Sequence, residues 1–142
     1  MPDILTELYE IVEKRKAERE EGSYTVYLLD AGLDKILKKL GEETAETIIA
    51  AKNFSCVSDD ENAAVTGNGT ETGAEIAVAT ANDKDYCTKR EALKNEVGDL
   101  LYHLVVLLHE LDVEPGEIEA LLRERMQKTG NLKESRQTDK DS

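Results

Sequence analysis

The sequence predicts an all-α fold, a bundle of helices in a single domain. Three observations carry that expectation. With 142 residues the chain is long enough to bury a real core. Hydrophobic residues make up 39% and aromatics only 4%, with no Trp, so the core must be assembled from Leu, Ile, Val and Ala, which suits packed helices better than stacked sheets. Apolar residues recur at three- and four-residue intervals through separate stretches of the chain, the spacing of one helix face. The domain is expected to occupy residues 1–130, with 131–142 a polar, disordered tail.

Asp3 is placed to cap a first helix in which Ile4, Leu5, Leu8, Ile11 and Val12 follow a 3.6-residue period. The charged run Glu13–Glu21 ends it, and Gly22 supplies a stop. Ser23 or Thr25 can cap a short segment, Tyr24–Asp30, which Gly32 interrupts. Leu33, Ile36, Leu37, Leu40, Thr44 and Ile48 then trace one stripe, so a long helix is expected from about Leu33 to Lys52. Gly41 falls inside it, a costly choice compared with Ala unless a neighbouring helix or ligand approaches closely.

The stretch 55–90 changes character: Thr, Ala, Asn, Gly and Asp replace large apolar residues, with turn chemistry at Gly67-Asn68-Gly69. Such a segment buries too little surface to offset its ordering entropy. It is read as a mobile insertion, with at most a short helix at Ala74–Ala81. From Lys89 the period returns, and Leu93, Val97, Leu100, Leu101, Leu104, Leu107, Leu108 and Leu111 form a face broad enough for a central bundle helix. Asp112–Gly116 is a turn with Pro115 opening a last helix. Ile118, Leu121, Leu122 and Met126 give that helix its inner face, and Gly130 closes it.

The net charge of −13 argues against a nucleic-acid backbone as partner, because binding phosphates along a strand requires clustered Lys and Arg. A small phosphorylated substrate stays compatible, since a bound metal and a few lysines invert the local field. Met1-Pro2-Asp3 runs straight into an amphipathic segment, with no signal peptide. The longest apolar run, Leu104–Leu108, is far too short to span a membrane, so a cytoplasmic location is expected. Cys56 and Cys87, the two cysteines, are accordingly read as free thiols.

Two groups of acids stand out against this background. Glu42, Glu43 and Glu46 crowd one turn of the long helix, and Glu96 and Asp99 are three apart on a strongly apolar one. Like charges this close destabilise a helix unless a cation or basic partner sits between them. Taken alone, the first group also fits a solvated acidic face; the second is harder to dismiss, because a carboxylate on a buried helix needs a partner. Two carboxylate pairs on two helices can form an all-oxygen cage, which favours Mg²⁺ or Mn²⁺ over zinc. Such a cage commonly serves phosphate chemistry. Lys35, Lys38, Lys39 and Lys52 flank the first acids and are candidate phosphate contacts, though each also fits a solvated lysine. His103 continues the polar line of Glu96 and Asp99 and is read as a hydrogen-bonded bundle residue rather than a ligand.

Glu42-Glu43-x-x-Glu46 followed by Glu96-x-x-Asp99 resembles the signature of the all-α nucleoside-triphosphate pyrophosphohydrolases. Glu21-Gly22-Ser23-Tyr24-Thr25, Gly32-Leu33-Asp34-Lys35-Ile36-Leu37-Lys38-Lys39, Ala50-Ala51-Lys52-Asn53 and Asp99-Leu100-Leu101-Tyr102-His103-Leu104 are similar, within that superfamily, to the phosphoribosyl-ATP pyrophosphatase family of histidine biosynthesis. The likeness covers about Ile4–Asn53 and Glu91–Arg125. It implies Mg²⁺-dependent hydrolysis of phosphoribosyl-ATP to phosphoribosyl-AMP and pyrophosphate. It implies that Glu43, Glu46, Glu96 and Asp99 are metal ligands and that Glu42 helps position a water or a second metal. It also implies a homodimer in which helices of both chains complete the bundle. The stretch 55–90 puts more chain between the acid motifs than the family usually has, and a fused cyclohydrolase domain is not expected. Two other readings remain open at this point: a house-cleaning (d)NTP pyrophosphohydrolase, and a non-catalytic helical dimer held by a structural cation.

Overall fold

The computed structural model describes the backbone of residues 3–63 and 73–128 and the side chains of 3–55 and 84–128. Five helices occupy these residues: α1 Ile4–Glu18, α2 Tyr24–Ala31, α3 Leu33–Ala63, α4 Gly73–Glu110 and α5 Pro115–Gln127. No strand occurs among the described residues, as the all-α expectation requires.

The ends of the helices follow from local chemistry, in part differently from expectation. Asp3 occupies the N-cap of α1 but makes no side-chain cap bond. The chain leaves α1 at Arg19, not Gly22: Arg19 adopts a left-handed conformation with φ 49°, and its N–H donates to the Arg15 carbonyl. Pairing of its guanidinium with Asp30 at 2.8 Å holds Arg19 in place, while Gly22, at φ 81°, serves the turn that follows. The Ser23 hydroxyl caps α2 by accepting from the Val26 N–H. Gly32, at φ 87°, separates α2 from α3 with a single residue, a conformation that favours glycine. At α5 the Glu117 side chain accepts from the Glu114 N–H at 3.1 Å, while the Glu117 N–H donates to the Glu114 carbonyl, with Pro115 at the first helical position.

α3 and α4 run antiparallel, since Glu43 meets Asp99 and Glu96 at one level and the Phe54 and Tyr86 rings meet 5.1 Å apart further along. α1 and α2 close over one end of this hairpin. Val12, Leu28, Ile36, Val105 and Val106, drawn from all four helices, form the fully buried core.

The stretch 55–90, read as a mobile insertion with at most a short helix at Ala74–Ala81, carries more helix than expected. α3 continues to Ala63 and α4 begins at Gly73, so the described parts of that stretch are helical. Helix stability in proteins comes mainly from packing one face against a partner, and over their described lengths α3 and α4 are each other's main partner, with Phe54 against Tyr86. Residues 64–72 and the expected tail 131–142 lie outside the described residues.

Two apolar surfaces also differ from expectation. Leu121, Leu122 and Met126 of α5, expected to face inward, are exposed in the single chain, with Met126 at 84%. Ile48 and Ile49 on α3 and Val97 and Leu101 on α4 are exposed as well, while Val105 and Val106 take the most buried places on α4. A Cβ added at Gly41 would meet nothing within 4 Å, so no close approach within this chain requires that glycine.

His109 gives a prediction about stability. It is 6% exposed and packs against the Tyr9 ring at 5.0 Å, and its Nδ1 has no hydrogen-bond partner. Burial, reinforced by Lys16, lowers its pKa below the ordinary 6.5. A histidine whose folded pKa lies below the unfolded one leaves stability intact above about pH 6.5 and takes it away as pH falls through the folded value. His109→Phe, which keeps a ring against Tyr9, should therefore lose less stability between about pH 7.5 and pH 5 than the parent. Urea unfolding at the two pH values tests this, and equal losses in both proteins would contradict it.

Candidate metal centre

The antiparallel α3–α4 pair brings the two acid motifs together. Glu43, Glu96 and Asp99 each offer a carboxylate oxygen, and the three oxygens lie within 4.8 Å of one another. Burial grades across the group: Glu43 is 5% exposed, Glu96 is half-buried and Asp99 opens to solvent. Three hard oxygens, with no Cys or His ligand, suit a divalent ion such as Mg²⁺ or Mn²⁺, whose remaining positions are filled by water or substrate oxygens.

Glu46, one turn beyond Glu43, is exposed and stands at the edge of this trio. The Glu43 charge, then partial burial and the Glu96 charge, raise its pKa. Its charge is thus under strain from its neighbours, as expected where carboxylates are gathered to share a cation. Removing that charge has two opposite consequences. Glu46→Gln should raise the melting temperature of metal-free protein at neutral pH, and it should shrink the further rise on adding Mg²⁺. Thermal melts with Mg²⁺ and with excess chelator read both effects, and a lowered metal-free melting temperature would contradict the repulsion.

Glu42 is not a member of the trio and pairs with lysines instead. Its carboxylate accepts from Lys39 at 2.9 Å and lies 3.9 Å from Lys38, and the Lys39 bond lowers its pKa. Lys39 also reaches the Glu43 Oε1 at 3.1 Å, so its ammonium sits between the two acids and its pKa is raised. Of the four lysines expected near the site, Lys39 is the one paired with a member of the trio. Lys35 lies over the Tyr27 ring at 5.8 Å, Lys38 pairs at long range with Glu42, and Lys52 is exposed on α3. His103 is 4% exposed and hydrogen-bonded at both ring nitrogens, which bears out its reading as a bundle residue.

A groove of about 250 Å³ continues from the acids along the α3–α4 seam, lined by Glu46, Ile49, Ala50, Asn53, Lys89, Ala92 and Glu96. Glu46 to Asn53 and Glu96 to Lys89 are both seven residues, or about 10 Å of helix. Lys89 pairs with Asp85 at 2.9 Å. Sequence reasoning misses it because Lys89 stands at the edge of the stretch 55–90, read as a mobile insertion, where the helical period only begins to return. Helical phase was the available signal: Lys89 precedes Glu96 by two turns and shares its face.

The described residues thus form an all-α bundle in which carboxylates from two antiparallel helices face one groove, a site suited to a divalent cation and a phosphorylated ligand. A sequence model of the phosphoribosyl-ATP pyrophosphohydrolase family matches residues 5–126. The chain is 38% identical over 136 aligned residues to a phosphoribosyl-ATP pyrophosphatase of Listeria welshimeri, covering 96% of this chain and 98% of that protein. Its identity to the phosphoribosyl-ATP pyrophosphatase of Streptococcus gordonii is 42% over 129 residues, 91% of each chain. For the Clostridium novyi protein of the same name it is 37% over 134 residues, 94% of this chain and 91% of the relative. The chain belongs to the phosphoribosyl-ATP pyrophosphohydrolase family.

Proposed function

We propose that this chain hydrolyses phosphoribosyl-ATP to phosphoribosyl-AMP and pyrophosphate in histidine biosynthesis, with Mg²⁺ as cofactor. The observation that carries this reading is the meeting of Glu43, Glu96 and Asp99 across the α3–α4 seam, in a chain of the family named for that reaction. These three acids, with Glu46 beside them, would hold Mg²⁺ or Mn²⁺. Bound there, the ion supplies charge neutralisation for phosphate oxygens and lowers the pKa of a bound water.

The protein groups divide the remaining work. Glu42, linked to Glu43 only through the shared Lys39 ammonium, would help position the attacking water from outside the trio. Lys39 supplies positive charge beside the phosphates, with Lys35, Lys38 and Lys52 more distant sources of field. The groove receives the part of the nucleotide beyond the reacting phosphates, where Asn53 offers an amide and Lys89 an ammonium.

The exposed apolar residues Ile48, Ile49, Val97 and Leu101 on the hairpin support a homodimer that covers them. A cytoplasmic setting fits the biosynthetic role, and no described helix is long and apolar enough to cross a membrane. Turnover of phosphoribosyl-ATP beside dATP and dCTP separates this reading from the house-cleaning one. The expected preference in kcat/KM is at least about 100-fold for phosphoribosyl-ATP, the discrimination available to a site that hydrogen-bonds its substrate. Comparable rates would favour the house-cleaning activity.

A further inference from the structure

His103 is a buried polar side chain that neither the hydrophobic core nor the acid trio explains, being 4% exposed within an otherwise apolar stretch of α4. Its Nδ1 lies 2.7 Å from the main-chain carbonyl oxygen of Asp99. A carbonyl oxygen only accepts, so the proton resides on Nδ1. On the other side of the ring, Nε2 is 3.0 Å from the Tyr24 hydroxyl, which donates to it. The same Nδ1 is 3.9 Å from Glu43 Oε1, the oxygen that Lys39 also holds at 3.1 Å. One N–H edge thus lies between the α4 backbone at Asp99 and the carboxylate of Glu43 on α3.

The ring's own orientation is determined from several directions. Tyr24 packs edge-on against it at 5.8 Å, and Tyr102 does the same at 5.3 Å. Tyr102 is in turn fixed by a 2.6 Å hydrogen bond to Thr25 Oγ1, which accepts from Arg15 at 3.2 Å. α2 and α4 therefore meet at one imidazole, with α1 bracing Tyr102 through Arg15 and Thr25, and that imidazole lies 3.9 Å from the most buried acid of the trio.

We propose that His103, oriented by Tyr24 and by the bond from its Nδ1–H to the Asp99 main-chain carbonyl, is a positioning residue: its ring edge, 3.9 Å from Glu43 Oε1, holds that carboxylate in the placement that a divalent cation requires. The proposal rests on the reading of Glu43, Glu96 and Asp99 as cation ligands. The groups that aim ligands commonly change metal affinity by about 10–100-fold when removed.

The test is Mn²⁺ binding by isothermal titration calorimetry to the full chain, without nucleotide, together with the melting temperature in chelator. His103→Leu should weaken Mn²⁺ at least about tenfold. His103→Asn places an amide N–H near the position of Nδ1–H and should stay within about threefold of the parent. Tyr24→Phe removes one oxygen and should weaken Mn²⁺ between about three- and tenfold, and it gives the readout should His103→Leu not fold. A purely structural role would lower the melting temperature and leave the Mn²⁺ dissociation constant unchanged, which would overturn the proposal. So would a His103→Asn variant as weak as His103→Leu. Because no nucleotide is present, these results stand apart from whether phosphoribosyl-ATP is the substrate.

Discussion

Glu43→Gln is expected to lower kcat/KM for phosphoribosyl-ATP at least about a thousandfold, equivalent to about 4 kcal/mol of transition-state stabilisation. Glu43 is the most buried of the three acids that meet across the α3–α4 seam, and it is also the one that Lys39 and His103 address. Glutamine keeps its volume and removes its charge, so the surrounding core is spared while the oxygen set loses its innermost anion. Mn²⁺ binding to the same variant should fall in step with turnover. Glu96→Gln and Asp99→Asn should act in the same direction, and full turnover in either would remove that residue from the site. A Glu43→Gln protein with parental turnover would place the chemistry elsewhere.

Lys39→Met is the second large effect, and its two parts have opposite signs. In the metal-free protein the Lys39 ammonium is the cation that compensates Glu43, itself 5% exposed. Breaking a fully buried pair by removing one partner costs about 3–5 kcal/mol. The Lys39 side chain is 24% exposed, so a smaller loss, about 2 kcal/mol, is expected here. Divalent cation replaces the missing charge, so the stabilisation brought by Mg²⁺ should be larger in Lys39→Met than in the parent, while turnover falls. Denaturant unfolding with Mg²⁺ and with chelator gives both quantities. A variant as stable as the parent without metal would mean that Lys39 does not compensate Glu43.

The parts of the site that depend on local spacing were legible in the sequence. Glu43 and Glu46 share a face because they are three apart, as do Glu96 and Asp99, and helix geometry alone puts each pair together. That the two pairs meet follows from the antiparallel pairing of α3 and α4, which apolar periodicity within each segment does not specify. The bonds Tyr24–His103 and Thr25–Tyr102 were not legible, since they join residues 79 and 77 positions apart through side-chain directions that no local pattern specifies. Glu42 shows the same limit: its spacing matches a site residue, yet its carboxylate turns to Lys39 and Lys38.

The stretch 55–90 misled for a physical reason. Its polar, small-residue composition suggests a segment without a core of its own, whereas α3 runs on to Ala63, α4 begins at Gly73, and the two helices still meet at Phe54 and Tyr86. The same single-chain view misplaced α5, because an apolar face reads as inward from sequence whether its cover is the same chain or another one. Leu121, Leu122 and Met126 have the right period and no cover among the described residues.

Pyrophosphate release from phosphoribosyl-ATP by the purified protein, with Mg²⁺ and with excess chelator, tests the proposed reaction most directly. Release that requires Mg²⁺ and disappears in chelator is the expected result. No release under either condition, with Mg²⁺ still raising the melting temperature, would contradict it and leave the acids of α3 and α4 holding a structural cation.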